Sequence, residues 1–425
     1  MISVPDDLKR YRRKRLVSGP WRLEGKLGQP AAAALVIPAL AESATLPKTL
    51  QSLAANDSEL LERTLIIVVI NQRSDSADEL RQDNRRCLGL LRKFPAGRLR
   101  LAWVNACTDG RELPPGQGVG LARKIGFDLC LEHLDWRQDP FLISLDADTL
   151  VDPGYLAALH QHFKTRRRGG AVIPFRHRKA SSPAQEEAIR LYELYLRSYT
   201  YGLKLAGSPY AYTSIGSAFA CSAAAYIQAG GMNRRLAGED FYFLQQLNKI
   251  SGIDEVAGAL VRPSPRASLR VPFGTGRTVS RLSNGEAANF TFCSHSAFTR
   301  LQQFLQSVED SWSAPAVQLL AQAGTLDNRL RNYLEQLNFA LAWSQLQRNH
   351  SSRVQFIRGF HGWFDGLRTR QLLTSLTGDD TSSPLQKVNG LFKWGGLPTQ
   401  HQEQDQLALL EQLQGIPPAL TAHTQ

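Results

Sequence analysis

Over the first 165 residues, apolar positions gather into short continuous runs, separated by longer amphipathic stretches. Ala31–Pro38 (AAAALVIP), Leu65–Ile70 (LIIVVI), Leu99–Val104 (LRLAWV) and Phe141–Leu145 (FLISL) are too short for helices and are bounded by polar turns. Such runs predict buried strands. Between and after them, Thr45–Ala54, Glu79–Phe94, Leu121–His133 and Tyr155–Phe163 read as helices. Pro47 falls in a first helical turn, where its missing N–H is harmless. Strands alternating with helices predict an α/β protein with a mostly parallel, doubly wound sheet and flanking helices.

The pattern changes further along. Ala184–Leu205 is helical, with Ala188, Leu191, Tyr192, Tyr195, Tyr199 and Leu203 on roughly one face, a stripe that reads as core packing. Phe241–Lys249 is a further helix, Ala297–Leu376 is helical almost throughout, and 402–414 is a short helix in a polar, Gln-rich end. The chain therefore divides into a basic lead-in (1–28), an α/β domain (29–290), a helical C-terminal extension (291–400) and a polar tail (401–425). No apolar run approaches the roughly 18–20 residues that span a bilayer. The first residues carry charge without the apolar stretch of a secretory signal.

Charge narrows the ligands. Fifty Lys and Arg against 38 Asp and Glu give +12, which favours anionic partners. No nucleic-acid-binding module is present, so nucleic acid is not expected among them. The five cysteines are widely spaced with no CxxC, suggesting neither a zinc site nor a disulfide framework. The expectation is a cytoplasmic protein, or one peripheral at the inner face of the membrane. Two segments bear on a membrane contact: KRYRRKR at 9–15, and the face Ile357, Phe360, Phe364 and Leu367 with arginines beside it. The first reads as a solvated arm and the second as a core face.

The chemistry concentrates in FLISLDADTLVDP. Asp146 and Asp148 stand one residue apart, just past a buried strand, where two like charges need a cation or polar ligand. A hard divalent ion bound by one or two carboxylates plus phosphate oxygens would satisfy them. Ligands of open α/β sheets sit at the carboxyl ends of strands, and Asn71–Asp75 fall at another such end.

Four features occur in order: VIPALAES after the first strand, VVINQRSDS after the second, GLARKIGFD before LDAD, and GGMNRRLAGEDFYFLQQL well downstream. This ordered set resembles the family-2 glycosyltransferases with the GT-A fold, whose members typically read VIPAYNE, VVDNGSTD, GxxxARNxG, DAD and GED. The chain departs at Leu40, Ala41, Ile70 and Lys124, where the family usually has tyrosine, asparagine, aspartate and asparagine. The resemblance implies a nucleotide-sugar donor met by Pro38, Glu42, Asn71, Arg123 and Asp146, and Mg²⁺ or Mn²⁺ on Asp148. It implies that Asp240, of Gly238-Glu239-Asp240, takes the proton of an acceptor hydroxyl as the sugar transfers with inversion. The acceptor would be a small molecule, a glycan or a lipid. Some GT-A enzymes add a C-terminal histidine to the metal, which here would be His295 of FCSHSAF. Processive members carry QxxRW; its absence argues against a polysaccharide synthase.

Three features stand outside these motifs. Arg266 and Arg270 in SPRASLRVPFGTG either clamp a diphosphate, which guanidinium geometry suits, or sit on a solvated turn. The Gly116–Gly120 turn is either a close approach to ligand, with Lys124 adding a cation, or a flexible loop; its GxGxG spacing is a poor dinucleotide fingerprint. Gly230-Gly231 would let backbone approach an acceptor. Rival readings are a retaining transferase making a small glycosylated solute, and a degenerate nucleotide-sugar-binding protein, which the altered motifs support and the retention of Asp146, Asp148 and Asp240 argues against. A nucleotidyltransferase would carry a glycine- and lysine-rich first loop that VIPALAES lacks.

Overall fold

The computed structural model describes residues 5–266, 274–288, 290–378 and 380–418. Of these, the residues within 1–189 and 214–285 form one compact unit and those within 190–213 and 286–425 a second.

In the first unit the elements run α1 (Asp6–Lys14), β1 (Leu23–Gly25), β2 (Ala33–Ala39), α2 (Leu46–Ala54), α3 (Ser58–Arg63), β3 (Thr64–Asn71), α4 (Asp78–Lys93), β4 (Arg100–Ala106), α5 (Val119–Cys130), β5 (Phe141–Ser144), β6 (Leu150–Val151), α6 (Tyr155–Thr165) and β7 (Gly170–Val172). Helix α7 (Pro183–Leu205) contains the division between the units. Then follow β8 (Phe219–Ser222), α8 (Ala223–Gln228), α9 (Glu239–Ser251), β9 (Ile253–Glu255), β10 (Val261–Arg262) and α10 (Thr275–Ser283).

Eight strands form one sheet in the order β1-β4-β3-β2-β5-β8-β7-β9. Strands β4, β3, β2 and β5 are mutually parallel, and β8 enters antiparallel to both its neighbours. This is the mixed α/β class that the strand–helix alternation predicts. Burial explains why β2 and β3 read as unbroken apolar runs: every residue of both is buried, as parallel strands covered on two faces require. Helix α5 lies close on this sheet at Gly126, where a Cβ would collide with Val36 and crowd Val69.

The topology sets the site. The chain leaves β2 for β3 on one side, while β5 returns on the other, Ala33–Val36 pairing with Phe141–Ser144. A reversal of this kind is where open α/β sheets place their ligand crevice, here the carboxyl ends of β2 and β5. Ala41, just past β2, has φ +54° and is held by a 2.9 Å hydrogen bond from its N–H to Asn84 Oδ1. A left-handed alanine costs on the order of 1–2 kcal/mol.

Residues 6–14, read as part of an irregular basic arm, are a docked helix. Leu8 and Tyr11 are buried, while Arg10, Arg12 and Arg13 stay exposed. Tyr11 Oη donates to Asp128 Oδ1 at 2.7 Å.

The second unit holds α11 (His295–Asp310), α12 (Ala316–Leu326), α13 (Asn328–Gln336), α14 (Phe339–Asn349), α15 (Arg353–Trp363), α16 (Gly366–Thr377), α17 (Pro384–Trp394) and α18 (Glu403–Leu413). Phe360 and Phe364 are buried in its aromatic-rich core with Phe304, Trp343 and Phe356, so that face packs inward. Leu194, Tyr195, Phe392 and Leu410 form a second cluster. No helix among the described residues is long and apolar enough to cross a membrane. All five cysteines are buried and unpaired.

Candidate active site

The crevice is organised by one buried arginine. Arg123, on α5, is 2% exposed and forms ion pairs with Asp146 and Glu239. Its Nε donates to Ser144 Oγ at 2.9 Å, and that hydroxyl donates to the Gly216 carbonyl at 2.7 Å. Gly216 is required there, since a Cβ would strike the guanidinium. The carboxyl end of β5, the middle of α5 and the start of α9 are thus tied together. Glu239 is 5% exposed and Asp146 37%.

Asp240 follows Glu239 in the first turn of α9 and accepts the Phe241 N–H at 2.8 Å. Three carboxylates therefore share the field of one guanidinium. Burial works against the Arg123 charge, but Asp146, Glu239 and Asp240 outweigh it and hold its proton more tightly than usual. Burial raises the Glu239 and Asp240 carboxyls above their ordinary values, with Arg123 opposing and Asp146 adding to the rise.

A second guanidinium holds the other acid. Strands β6 and β10 pair antiparallel, Arg262 facing Leu150, so the segment after β10 runs back alongside Asp148. Arg266 Nε lies 3.0 Å from Asp148 Oδ2, and its Nη2 pairs with the buried Glu42. Arg178 Nη2 donates to the Asp148 carbonyl at 2.9 Å. The Arg262–Asp152 pair, at 2.8 and 3.1 Å, pins the β6–β10 ribbon.

No group of three or more His, Cys, Asp or Glu among the described residues is arranged to hold a metal. Asp146 and Asp148 each have a guanidinium for counter-charge, Arg123 and Arg266 respectively. An ion at Asp148 would take the place of Arg266 there.

Other expected residues have different positions. Asn71 is buried, and its Nδ2 donates to the Ala39 and Val69 carbonyls, each at 3.1 Å, locking β2 to β3. Pro38 pairs with Val69 on β3, beyond the point where β5 stops pairing with β2 at Val36, so its missing N–H breaks no bond on that side. Lys124 is buried, 2.8 Å from Asp128 and 2.9 Å from Tyr11 Oη, so it is a structural cation. A Cβ on Gly120 would meet the carbonyls of Arg235 at 2.5 Å and Asn233 at 2.9 Å. That glycine admits the chain's own backbone. Gly231 accommodates the Tyr11 hydroxyl. Arg270 lies outside the described residues. His295 opens α11 in the second unit. The sequence reading missed Glu239, although it directly precedes Asp240, and it missed Ser144 and Arg178.

No protein-family model matches the chain, and no curated protein matches it. Distant likenesses exist among solved structures. TarS 1–349 from S. aureus, in complex with UDP-GlcNAc, is 13% identical over 79% of this chain and 91% of its own, with a TM-score of 0.41. The mannosyltransferase PcManGT from Pyrobaculum calidifontis, in complex with GDP-Man and Mn²⁺, is 14% identical over 84% and 93%, at 0.37. GalNAc-T7 with UDP, GalNAc and Mn²⁺ is 14% identical over 66% and 51%, at 0.34. At these values no family is assigned to the chain.

Proposed function

We propose that this protein is a glycosyltransferase of the GT-A type, moving one sugar from a nucleotide-sugar donor to an acceptor hydroxyl with inversion. The observation that carries the reading is the Arg123 cluster. A guanidinium fixes Asp146 and Glu239 at the switch point of a mostly parallel sheet, and Asp240 stands beside them with its proton affinity raised. Glu239 is committed to its ion pair. Asp240 is bound by a single backbone N–H, which leaves lone pairs for a proton.

In this reading the acceptor oxygen attacks the anomeric carbon as the bond from that carbon to the diphosphate oxygen breaks. The acceptor proton passes to an Asp240 carboxylate oxygen, and the nucleoside diphosphate leaves with the bonding pair. A raised carboxyl pKa strengthens a general base, provided the group stays ionised at the working pH. Asp146 and Asp148 would hold Mg²⁺ or Mn²⁺, which supplies positive charge to the leaving diphosphate. Arg266, released from Asp148, stays within reach of the same phosphates and suits them by its fork geometry.

A thermal-shift panel of nucleoside diphosphates and nucleotide sugars tests the donor. Linkage raises the melting temperature for whichever base binds. In Asp240→Asn, donor binding should persist while turnover falls by about 10²–10⁴-fold. If no nucleotide diphosphate or nucleotide sugar shifts the wild-type melting temperature, the function is wrong. If Asp240→Asn turns over within a few-fold of wild type, only the base assignment is lost.

A further inference from the structure

The second unit holds a cavity of about 480 Å³, lined entirely by polar residues and one glycine from the starts of α11 and α17 and nearby loops. Two ammonium groups and an imidazole border it: Lys387, Lys393 and His295. Lys387 is only 8% exposed, and its Nζ donates to the Asp380 carbonyl at 2.8 Å. Among the described residues none of these three groups lies within ion-pair distance of a carboxylate. Among the described residues the acid of the lining is Asp380, which accepts the Ser382 N–H at 2.9 Å; Ser382 holds its carboxyl below the usual value, with Lys387 and His295 adding to the effect. That carboxylate faces two ammonium groups, so the described lining keeps an excess of positive charge that suits an added anion.

The rest of the lining narrows the anion. Most lining residues carry hydroxyls or amides, and among the described residues no Phe, Tyr, Trp, Leu, Ile or Val borders the cavity. A nucleobase would have no aromatic face to stack on and an acyl chain no apolar wall. Asn389 is spent on Gln400 and Gln386 Oε1 on the Ser383 N–H, so the Gln386 Nε2 and the Thr399 and Ser296 hydroxyls are what a polyol would meet, and the volume suits a small ligand. Two helices, of 16 and 11 residues, begin at this cavity. Their N-terminal ends add partial positive charge to that of the lysines.

We propose that this cavity is a binding site for a small phosphorylated polyol, such as a sugar phosphate, with Lys387 and Lys393 on the phosphate and the hydroxyl and amide groups on the polyol. The proposal is independent of the glycosyl-transfer reading, since none of these residues belongs to the Arg123 cluster.

Calorimetry on the full chain, with hexose 6-phosphate, inorganic phosphate, free hexose and a nucleoside monophosphate as probes, tests it. Hexose 6-phosphate should bind more tightly than the other three. Lys387→Gln should weaken it about tenfold or more, the scale of a charge-assisted contact. Lys393→Gln, at an exposed position, should weaken it several-fold, and both variants should keep their nucleotide-sugar response. Failure of hexose 6-phosphate to bind at millimolar concentration overturns the site, as does binding unchanged in both variants. Equal affinity for inorganic phosphate overturns the polyol assignment.

Discussion

Replacing Arg123 by methionine should expose how the active-site charges depend on one another. The variant keeps most of the side-chain length and removes the guanidinium that pairs with Asp146 and Glu239. The two losses are unequal. Asp146, 37% exposed, can rehydrate, so its share is at most about 1 kcal/mol. Glu239, 5% exposed, cannot, and removing one partner of a buried pair costs about 3–5 kcal/mol. The total is therefore carried mainly by Glu239. Adding Glu239→Gln to Arg123→Met removes the stranded charge, so the double variant should recover about 2 kcal/mol or more relative to the sum of the singles. Urea unfolding of the four proteins, followed by tryptophan fluorescence and read by linear extrapolation, measures this coupling. The deficit of Arg123→Met should also shrink as pH falls, because protonating Glu239 removes the unpaired charge. Additive effects, within about 0.5 kcal/mol, with a deficit independent of pH, would refute the reasoning.

Other outcomes follow from the same geometry. Glu239 and Asp240 have raised carboxyl pKa values in the folded state, so their contribution to wild-type stability should be fully present below the ordinary carboxylate value and be lost as pH rises through the elevated one; urea midpoints across pH 4–8 check it. Arg266→Gln removes the guanidinium from Asp148 and Glu42 and should tighten Mn²⁺ binding without nucleotide, read by paramagnetic relaxation; unchanged or weaker Mn²⁺ affinity would show that the ion does not compete with Arg266. Gly126→Ala would push a methyl into Val36 and should destabilise by about 1–3 kcal/mol, seen as a lower urea midpoint with no change in donor specificity. Tyr11→Phe deletes the hydroxyl shared by Asp128 and Lys124 and should speed trypsin cleavage at the arginines of α1, by mass spectrometry, while leaving the sheet protected.

The parallel strands were legible because burial on both faces writes them as unbroken apolar runs; Asp146 and Asp148 stood out as paired acids at such a strand's end, and in the fold each meets a guanidinium, Arg123 and Arg266. What was not legible concerns direction. Arg123 and Lys124 are adjacent cations on α5, and about 100° of helical rotation sends one to the acids of the crevice and the other to Asp128. The i,i+4 spacing of Lys124 and Asp128 was the available signal. Glycines mislead for a related reason: room for a ligand and room for a neighbouring loop leave the same residue, and at Gly120 the loop is what is there. Glu239 was passed over because Asp240 carries the family analogy, and sequence alone cannot say which of two consecutive acids turns toward an arginine over a hundred residues away.

The docking of α1 also sets an order for the chain's birth. Tyr11 packs against Tyr226, with ring centroids 5.9 Å apart, and hydrogen-bonds Asp128. At roughly 5–20 residues per second on the ribosome, the amino-terminal helix waits on the order of tens of seconds before the far side of its seat exists. Until then its apolar edge, Leu8 and Tyr11, stands open between clusters of arginine and lysine. That charge keeps the nascent segment soluble while it is idle. Helix α1 is thus made well before the far side of its seat, and its docking is complete only once Tyr226 has followed it.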